Sequence, residues 1–338
     1  MSKKRVTISS IAHEIGVSNT LVSMVLNGKG NANSINKETQ KRVLDKAREM
    51  NYQPNQVARG LRTGTTKTIG LIVADISNPI YSRIARIAED YANQEGYSLF
   101  VCSSDEDENR ERKLLQMLVD RQVDGIILAS TLQDPDTIQK LIDQNFPIVL
   151  FDRYFDDLEC NYVGVDNETA TQEAIHHLIK MGHQNIGFLT LSPEHISSLR
   201  DRKKGFQNAM ENAGLKIVPN HMVELGFDDL KDKNYEKIKD FVKNNPDMTA
   251  IFTTNNNLAV GCMDAINQLG KRIPEDISLI TFDDVELFQY TNPPLSSIAQ
   301  PIEKIGEIAI SSLLQQIKSQ EIRNLKNELS AKLIIRKS

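Results

Sequence analysis

Between Ile8 and Asn27 apolar and polar residues recur at a spacing that fits two short helices joined by a tight turn. Ile8, Ile11 and Ile15 fall on one face of the first helix, and Val22, Val25 and Leu26 on one face of the second. Ala12 is small where the two would cross. Gly16 supplies the positive φ that a sharp helix–helix turn demands, and the Ser18 hydroxyl can cap the second helix. Asn19, Thr20, Ser23 and Met24 are left outward. Short polar side chains at the start of such a helix suit the major groove of DNA. A plain helical hairpin opening an enzyme would use the same pattern, so charge has to separate the two readings.

The whole chain is acidic, at net −5, but the charge is unevenly placed. Up to Lys67 there are 12 Lys and Arg against 4 Asp and Glu, leaving 28 against 41 in the remainder. A segment of +8 thus precedes a body of −13. Such a split confines affinity for phosphate to one small domain and keeps the body off the duplex. The basic segment also carries apolar periodicity and caps, which disordered charge runs lack.

The 338 residues suit a headpiece plus one large or two medium lobes. Cys102, Cys160 and Cys262 are odd in number and far apart, with neither CxxC nor HxxxH spacing, so free thiols are expected rather than disulfides or zinc. No apolar signal core follows Met1–Val6 and no run reaches transmembrane length; a cytoplasmic location without membrane association is expected. A third helix is predicted from Lys37 to about Met50, capped by Asn36, with Val43, Leu44 and Ala47 toward the first two. After it, Pro54 ends one helix and Asn55 can cap a short new one. Gly60 lowers its helicity, so this segment would need DNA or a twin in a dimer to hold it.

The run Ile11-Ala-x-x-x-Gly-Val-Ser18, with Val22-Ser23, Leu26-Asn27 and Asn51-Tyr-x-Pro-Asn-x-x-Ala-Arg-x-Leu61, closely resembles the lactose-repressor/galactose-repressor (LacI/GalR) family of bacterial transcription regulators. The resemblance implies a homodimer on pseudo-palindromic operator DNA. It places a recognition helix in the major groove and paired hinge helices in the minor groove. On this pattern DNA is contacted by Ser18, Asn19, Thr20, Ser23, Met24, Asn27, Asn55, Ala58, Arg59 and Leu61, with Leu61 as the wedge at the central base step. The alternative for Leu61 is a core leucine of an ordinary linker helix. The chain departs from the family at Leu21, usually Thr, at Met24, usually Arg, and in a longer loop Gly28–Ser34. Losing that arginine removes a guanine or phosphate contact, so the operator half-site cannot be carried over.

Beyond Lys67 short apolar runs alternate with amphipathic helices, as in an α/β protein with parallel sheets. Strands are predicted at 68–74, 97–102, 124–129 and 147–151 for a first lobe, and at 185–190, 222–225, 249–253 and 277–281 for a second. Ile69-Gly70 and Ile186-Gly187 open the two sets, and Gly96 and Gly214 end their first helices. The expected fold is a small all-α helix-turn-helix headpiece, residues 1–53, a hinge helix and linker, 54–67, and a body of two similar lobes, 68–338. The body of the family resembles periplasmic sugar-binding proteins, with a ligand held between lobes.

Ligands of such folds lie beyond the carboxyl ends of strands. Residues there that match family effector positions are Asp152, Arg202, Asn255, Asp283 and Gln300. Tyr81 matches an aromatic that packs on the ligand, and Phe227 is a second candidate. Together they offer the rim of donors and acceptors and the aromatic wall that a sugar ring requires. Asp152 and Asp283 could instead be caps or turn residues, and Arg202 a surface ion pair with Asp201 or Glu194. Asn256 replaces an Asp common in the family, which weakens any transfer of ligand identity.

An α/β enzyme would explain the body, but no GxGxxG or GxxxxGK[ST] follows the first strand. Asp283-Asp284 and His176-His177 lack a supporting constellation for catalysis or metal binding. A transport binding protein would carry a secretory signal where the basic helix-turn-helix stands, and an architectural DNA-binding protein would not respond to an effector. The expectation is a repressor of carbohydrate-use genes controlled by a sugar or sugar phosphate, with a DNA-binding regulator responding to a non-sugar metabolite as the alternative, and with no catalytic residue, cofactor or metal. The terminal run Leu333–Ser338 reads as a strand with a charged stop rather than a tetramerising heptad, so a dimer is expected.

Overall fold

The structure is a computed structural model and describes residues 6–53, 64–233, 235–319 and 325–338. The chain divides into two units, Met1–Thr66 and Lys67–Ser338.

Among its described residues the first unit has three helices, whose ends are set by local capping. In α1 (Ile8–Ile15), Thr7 and Ser10 form a reciprocal capping box, and Gly16 at φ 68° turns the chain while its N–H bonds Ala12 O. The Ser18 hydroxyl accepts from Leu21 N at 3.2 Å to start α2 (Asn19–Leu26). Asn36 accepts from Glu38 N at 2.8 Å to start α3 (Lys37–Glu49). Ile11, Ala12, Val22, Val25, Val43 and Ala47 form the core. Leu44 does not join it. Val43 and Ala47, four apart, define the buried face, which leaves Leu44 39% exposed, and Met50 and Tyr52 pack in from beyond the helix.

The second unit holds two parallel sheets flanked by helices. The first takes β1 (Thr68–Val73), β2 (Ser98–Ser103), β3 (Gly125–Leu128), β4 (Ile148–Phe151) and β5 (Asn161–Val165), with α4 (Pro79–Gln94), α5 (Glu108–Asp120) and α6 (Asp136–Asp143) between them. After α7 (Asn167–Lys180) the second takes β6 (Ile186–Ser192), β7 (Met222–Gly226), β8 (Ala250–Thr253), β9 (Ser278–Phe282) and β10 (Ser296–Ala299), with α8 (Ser197–Asn212), α9 (Glu236–Asn244) and α10 (Asn256–Gln268). The chain then returns through α11 (Ile302–Ser319) and β11 (Lys326–Leu329) to the first sheet, and ends with β12 (Lys332–Ile334) in the second. Strand orders are β11-β5-β4-β3-β1-β2 and β12-β10-β9-β8-β6-β7, with β12 alone antiparallel.

The chain therefore passes between sheets three times: after β5, after β10 and after β11. Strands β1 to β4 and β6 to β9 repeat one topology. The apolar runs at their centres are buried on both faces, as central parallel strands must be. The repeated Ile-Gly has a steric cause. A Cβ at Gly70 would meet Leu118 Cδ1 at 2.6 Å, and one at Gly187 would meet Met248 Sδ at 2.6 Å. All three cysteines are free thiols, two of them buried. Among the described residues no helix is long and apolar enough to cross a membrane.

Candidate ligand cleft and nucleic-acid interface

In the second unit, the carboxyl ends of equivalent strands from the two sheets border one cavity of about 820 Å³. Asp152 follows β4 and Asp283 follows β9, at φ 61° and 73°, and neither caps a helix. Left-handed backbone at the end of a parallel strand turns the chain sharply, and aspartate tolerates it better than most residues. Tyr81, Asp152, Arg202, Phe227, Asn255, Asp283 and Gln300 all line this cavity. They come from α4, α8, both strand ends, the turn after β7, the start of α10 and the crossing after β10, and are spread over more than 200 residues of sequence.

Their contacts are specific. The Tyr81 hydroxyl donates to Asp152 Oδ2 at 2.6 Å, and its ring meets Phe151 edge-on at 6.1 Å. Arg202 is buried on α8, not paired at the surface. Its Nε donates to Asn167 Oδ1 at 2.8 Å, its Nη1 to Thr254 O at 2.6 Å, and its guanidinium lies 3.6 Å from the centre of the Phe282 ring. The acids next to it in sequence are engaged elsewhere, Asp201 with Arg200 and Tyr154, and Glu194 with Lys203. Gln300 Nε2 donates to Asp283 Oδ1 at 2.6 Å. Burial raises the Asp283 carboxyl above its ordinary range; Arg202 and the Gln300 amide pull it down, and Asp152 pushes it up. Asn255 spends its carbonyl capping α10, accepting from Leu258 N at 2.9 Å.

Arg153, Glu106 and Tyr235 are among the cavity residues that reading the sequence does not find. Arg153, which is buried, makes a bidentate pair with the part-buried Glu106, at 2.8 and 2.7 Å. Its guanidinium stands 5.9 Å from the centre of the Phe227 ring. Burial opposes the Arg153 charge, but Glu106, Tyr81 and Asp152 together outweigh it and raise the group above its ordinary value. The Arg153 Nε is buried with no hydrogen-bond partner among the described residues, 3.7 Å from Asp152 Oδ2. The available signal was position: Arg153 directly follows a strand-end Asp. Its partner, 47 residues away, leaves no local trace. Tyr235 also lines the wall. The arrangement offers aromatic faces, paired carboxylates and anchored guanidiniums around a polar ligand. Among the described residues no group of three or more His, Cys, Asp or Glu is placed to hold a metal ion.

In the first unit, Ser18, Asn19, Thr20 and Asn27 are exposed, while Ser23 and Met24 are half-buried on α2. Ser18 and Asn27 are occupied with the helix itself: the former caps the start, and the latter donates to Ser23 O at 2.7 Å at the end. Asn55, Ala58, Arg59 and Leu61, with the segment expected to form a hinge helix, lie outside the described residues.

The sequence model for bacterial regulatory proteins of the lacI family matches residues 7–55, and that for a periplasmic binding protein-like domain matches residues 175–338. The ribose operon repressor of Halalkalibacterium halodurans is 33% identical over 98% of this chain and 96% of its own length. The HTH-type transcriptional regulator KdgR of Bacillus subtilis is 34% identical over 98% and 97%. Among solved structures, the lac repressor dimer bound to operator and the anti-inducer ONPF superposes with a TM-score of 0.85 at 26% identity, covering 99% of both chains.

Proposed function

Because this chain belongs to the LacI family of bacterial regulatory proteins, we propose that it is a repressor of carbohydrate-use genes, released from or driven onto its operator by a small molecule held between the lobes. In this reading residues 1–53 dock on DNA, 54–67 form the hinge, and 68–338 bind effector and dimerise. The protein acts in the cytoplasm as a homodimer and performs no catalytic step. Leu61 wedges the central minor-groove step, flanked by Asn55, Ala58 and Arg59. Coupling is conformational: the ligand shifts operator affinity only by the difference in its affinity for two body conformations.

One observation carries the reading. Seven residues picked out by their place after strands and by resemblance to the family, from both lobes, line a single cavity at the strand ends. Its chemistry favours an uncharged sugar over a sugar phosphate. Six carboxylates line it (Asp75, Asp105, Glu106, Asp107, Asp152 and Asp283) against three guanidiniums, and Arg110 and Arg153 are already paired with acids. A phosphate would enter against that field.

The test is a thermal-shift screen of the full chain against neutral sugars, sugar acids and sugar phosphates, followed by operator binding with each hit. A true effector raises Tm by mass action and changes operator affinity. A hit that raises Tm but leaves operator affinity unchanged in wild type overturns the coupling. A hit whose effect survives Arg202→Ala and Asp283→Asn undiminished overturns the site.

A further inference from the structure

The recognition helix contains no charged side chain. From Gly16 to Asn27 there is no Lys, Arg, His, Asp or Glu. Guanine is read most often by Arg or Lys on O6 and N7, and cytosine by a carboxylate on N4. This helix has neither tool. Several of its residues are also committed to the fold. Val22 and Val25 are buried, Leu21 and Leu26 pack against the same core, the Ser18 hydroxyl caps the first turn, and Asn27 donates back to Ser23. Asn19, Thr20 and Met24 remain. Thr20 and Met24, four residues apart, share one stripe, and Asn19 sits beside them in the first turn.

Resting on the reading that α2 enters the major groove, we propose that the half-site beneath it is read at A·T pairs: adenine by the Asn19 amide, thymine by contact of Met24 and the Thr20 methyl with the C5-methyl group. Asparagine matches the N6 donor and N7 acceptor of adenine bidentately, and an unbranched thioether packs on a methyl group but gains nothing from a guanine edge. Positive charge for the phosphates comes from outside the helix, at Lys29 just after it and at Lys37 and Lys41 on α3. Charge and sequence reading are thereby separated, one supplying affinity and the other choice.

The experiment selects the operator from random duplexes with the full-length protein, then measures affinity at fixed salt for single-atom base changes. Thymine to uracil removes one methyl and no hydrogen bond; adenine to 7-deazaadenine removes the N7 acceptor alone. In the selected half-site, wild type should lose about tenfold at the adenine and a smaller factor at the thymine. Asn19→Ala should abolish the 7-deazaadenine effect, and Met24→Ala should reduce the uracil effect, each leaving the other intact. Met24→Arg should move the preferred base at its position toward guanine. Selection of a half-site whose major-groove discrimination rests on guanine N7 overturns the proposal, as does a uracil effect of equal size in wild type and Met24→Ala. Failure to select any sequence overturns the reading of the headpiece itself, a distinct result.

Discussion

Replacing Asp283 by Asn separates holding a ligand from holding the fold, because the two roles push in opposite directions. Asp283 is 4% exposed, and its backbone at φ 73° lies in a region that asparagine also occupies, so the change brings no new strain. Asn can still accept from Gln300. Burial raises the carboxyl, so the folded state binds its proton more tightly than the unfolded chain, whose value is about 3.9. Stability from this group is therefore fully present below the unfolded value and is lost as pH rises through the folded one, so its burial costs the fold above the acid range. The amide removes that cost. Tm at pH 7 should equal or exceed that of wild type, and the gain wild type receives from this group toward acid pH should vanish. Effector response should move the other way. A hydrogen bond to a charged group contributes about 1.5–3 kcal/mol, so the half-saturating concentration of any sugar found by thermal shift should rise about ten- to a hundredfold. Thermal melts across pH and operator anisotropy during effector titration read the two effects. A Tm several degrees lower with an unchanged titration would refute the argument and leave Asp283 a structural residue.

A chain beginning at Lys67 should fold and keep its effector-induced Tm shift without binding operator, and the full chain should lose operator affinity steeply with salt; retained operator binding by the shorter chain would contradict the charge division. Gly205→Ala should lower the urea midpoint by the equivalent of about 1–3 kcal/mol at unchanged m, because its Cβ would stand 2.5 Å from the Glu168 carbonyl oxygen where α7 and α8 meet. At pH 8 a thiol reagent should modify only Cys102 in the native protein and three thiols after unfolding: burial pushes Cys160 up to about 12 and Cys262 further, whereas Cys102 is half-exposed. Native reactivity that survives Cys102→Ser would show that the other two are accessible.

What was legible in the sequence was what is decided locally. Gly16, Ser18 and Asn36 act within one turn of themselves, and the central strands announce themselves because both of their faces are buried. Strands β5, β10 and β11 were not readable. Lys326–Leu329 is charged and half-exposed, and it is a strand only because Tyr162 to Val165 lie beside it, more than 160 residues earlier. The same division holds in the cleft. Asp152 and Asp283 stand out by following apolar runs, and resemblance to a family placed five others. The Arg153–Glu106 pair joins the ends of separate strands and appears only once the sheet has formed. Leu44 failed for a simpler reason: an apolar residue one position from a buried stripe is already turned a quarter of the way around the helix.

The three passages between sheets bear on how the protein is made. Neither lobe is contiguous in the chain: the first sheet waits for α11, whose Ile305, Ala309 and Leu313 are buried and whose Gln316 accepts from Ile148 N at 3.0 Å, and for β11 to cover the edge of β5. On the ribosome, β1 to β5 therefore emerge some 140 residues before the helix that completes their core. Through that interval the nascent chain presents an open strand edge and bare apolar surface, a state that self-associates readily. Synthesis of this regulator is consequently exposed to crowding at polysomes, where neighbouring copies carry the same unfinished edge.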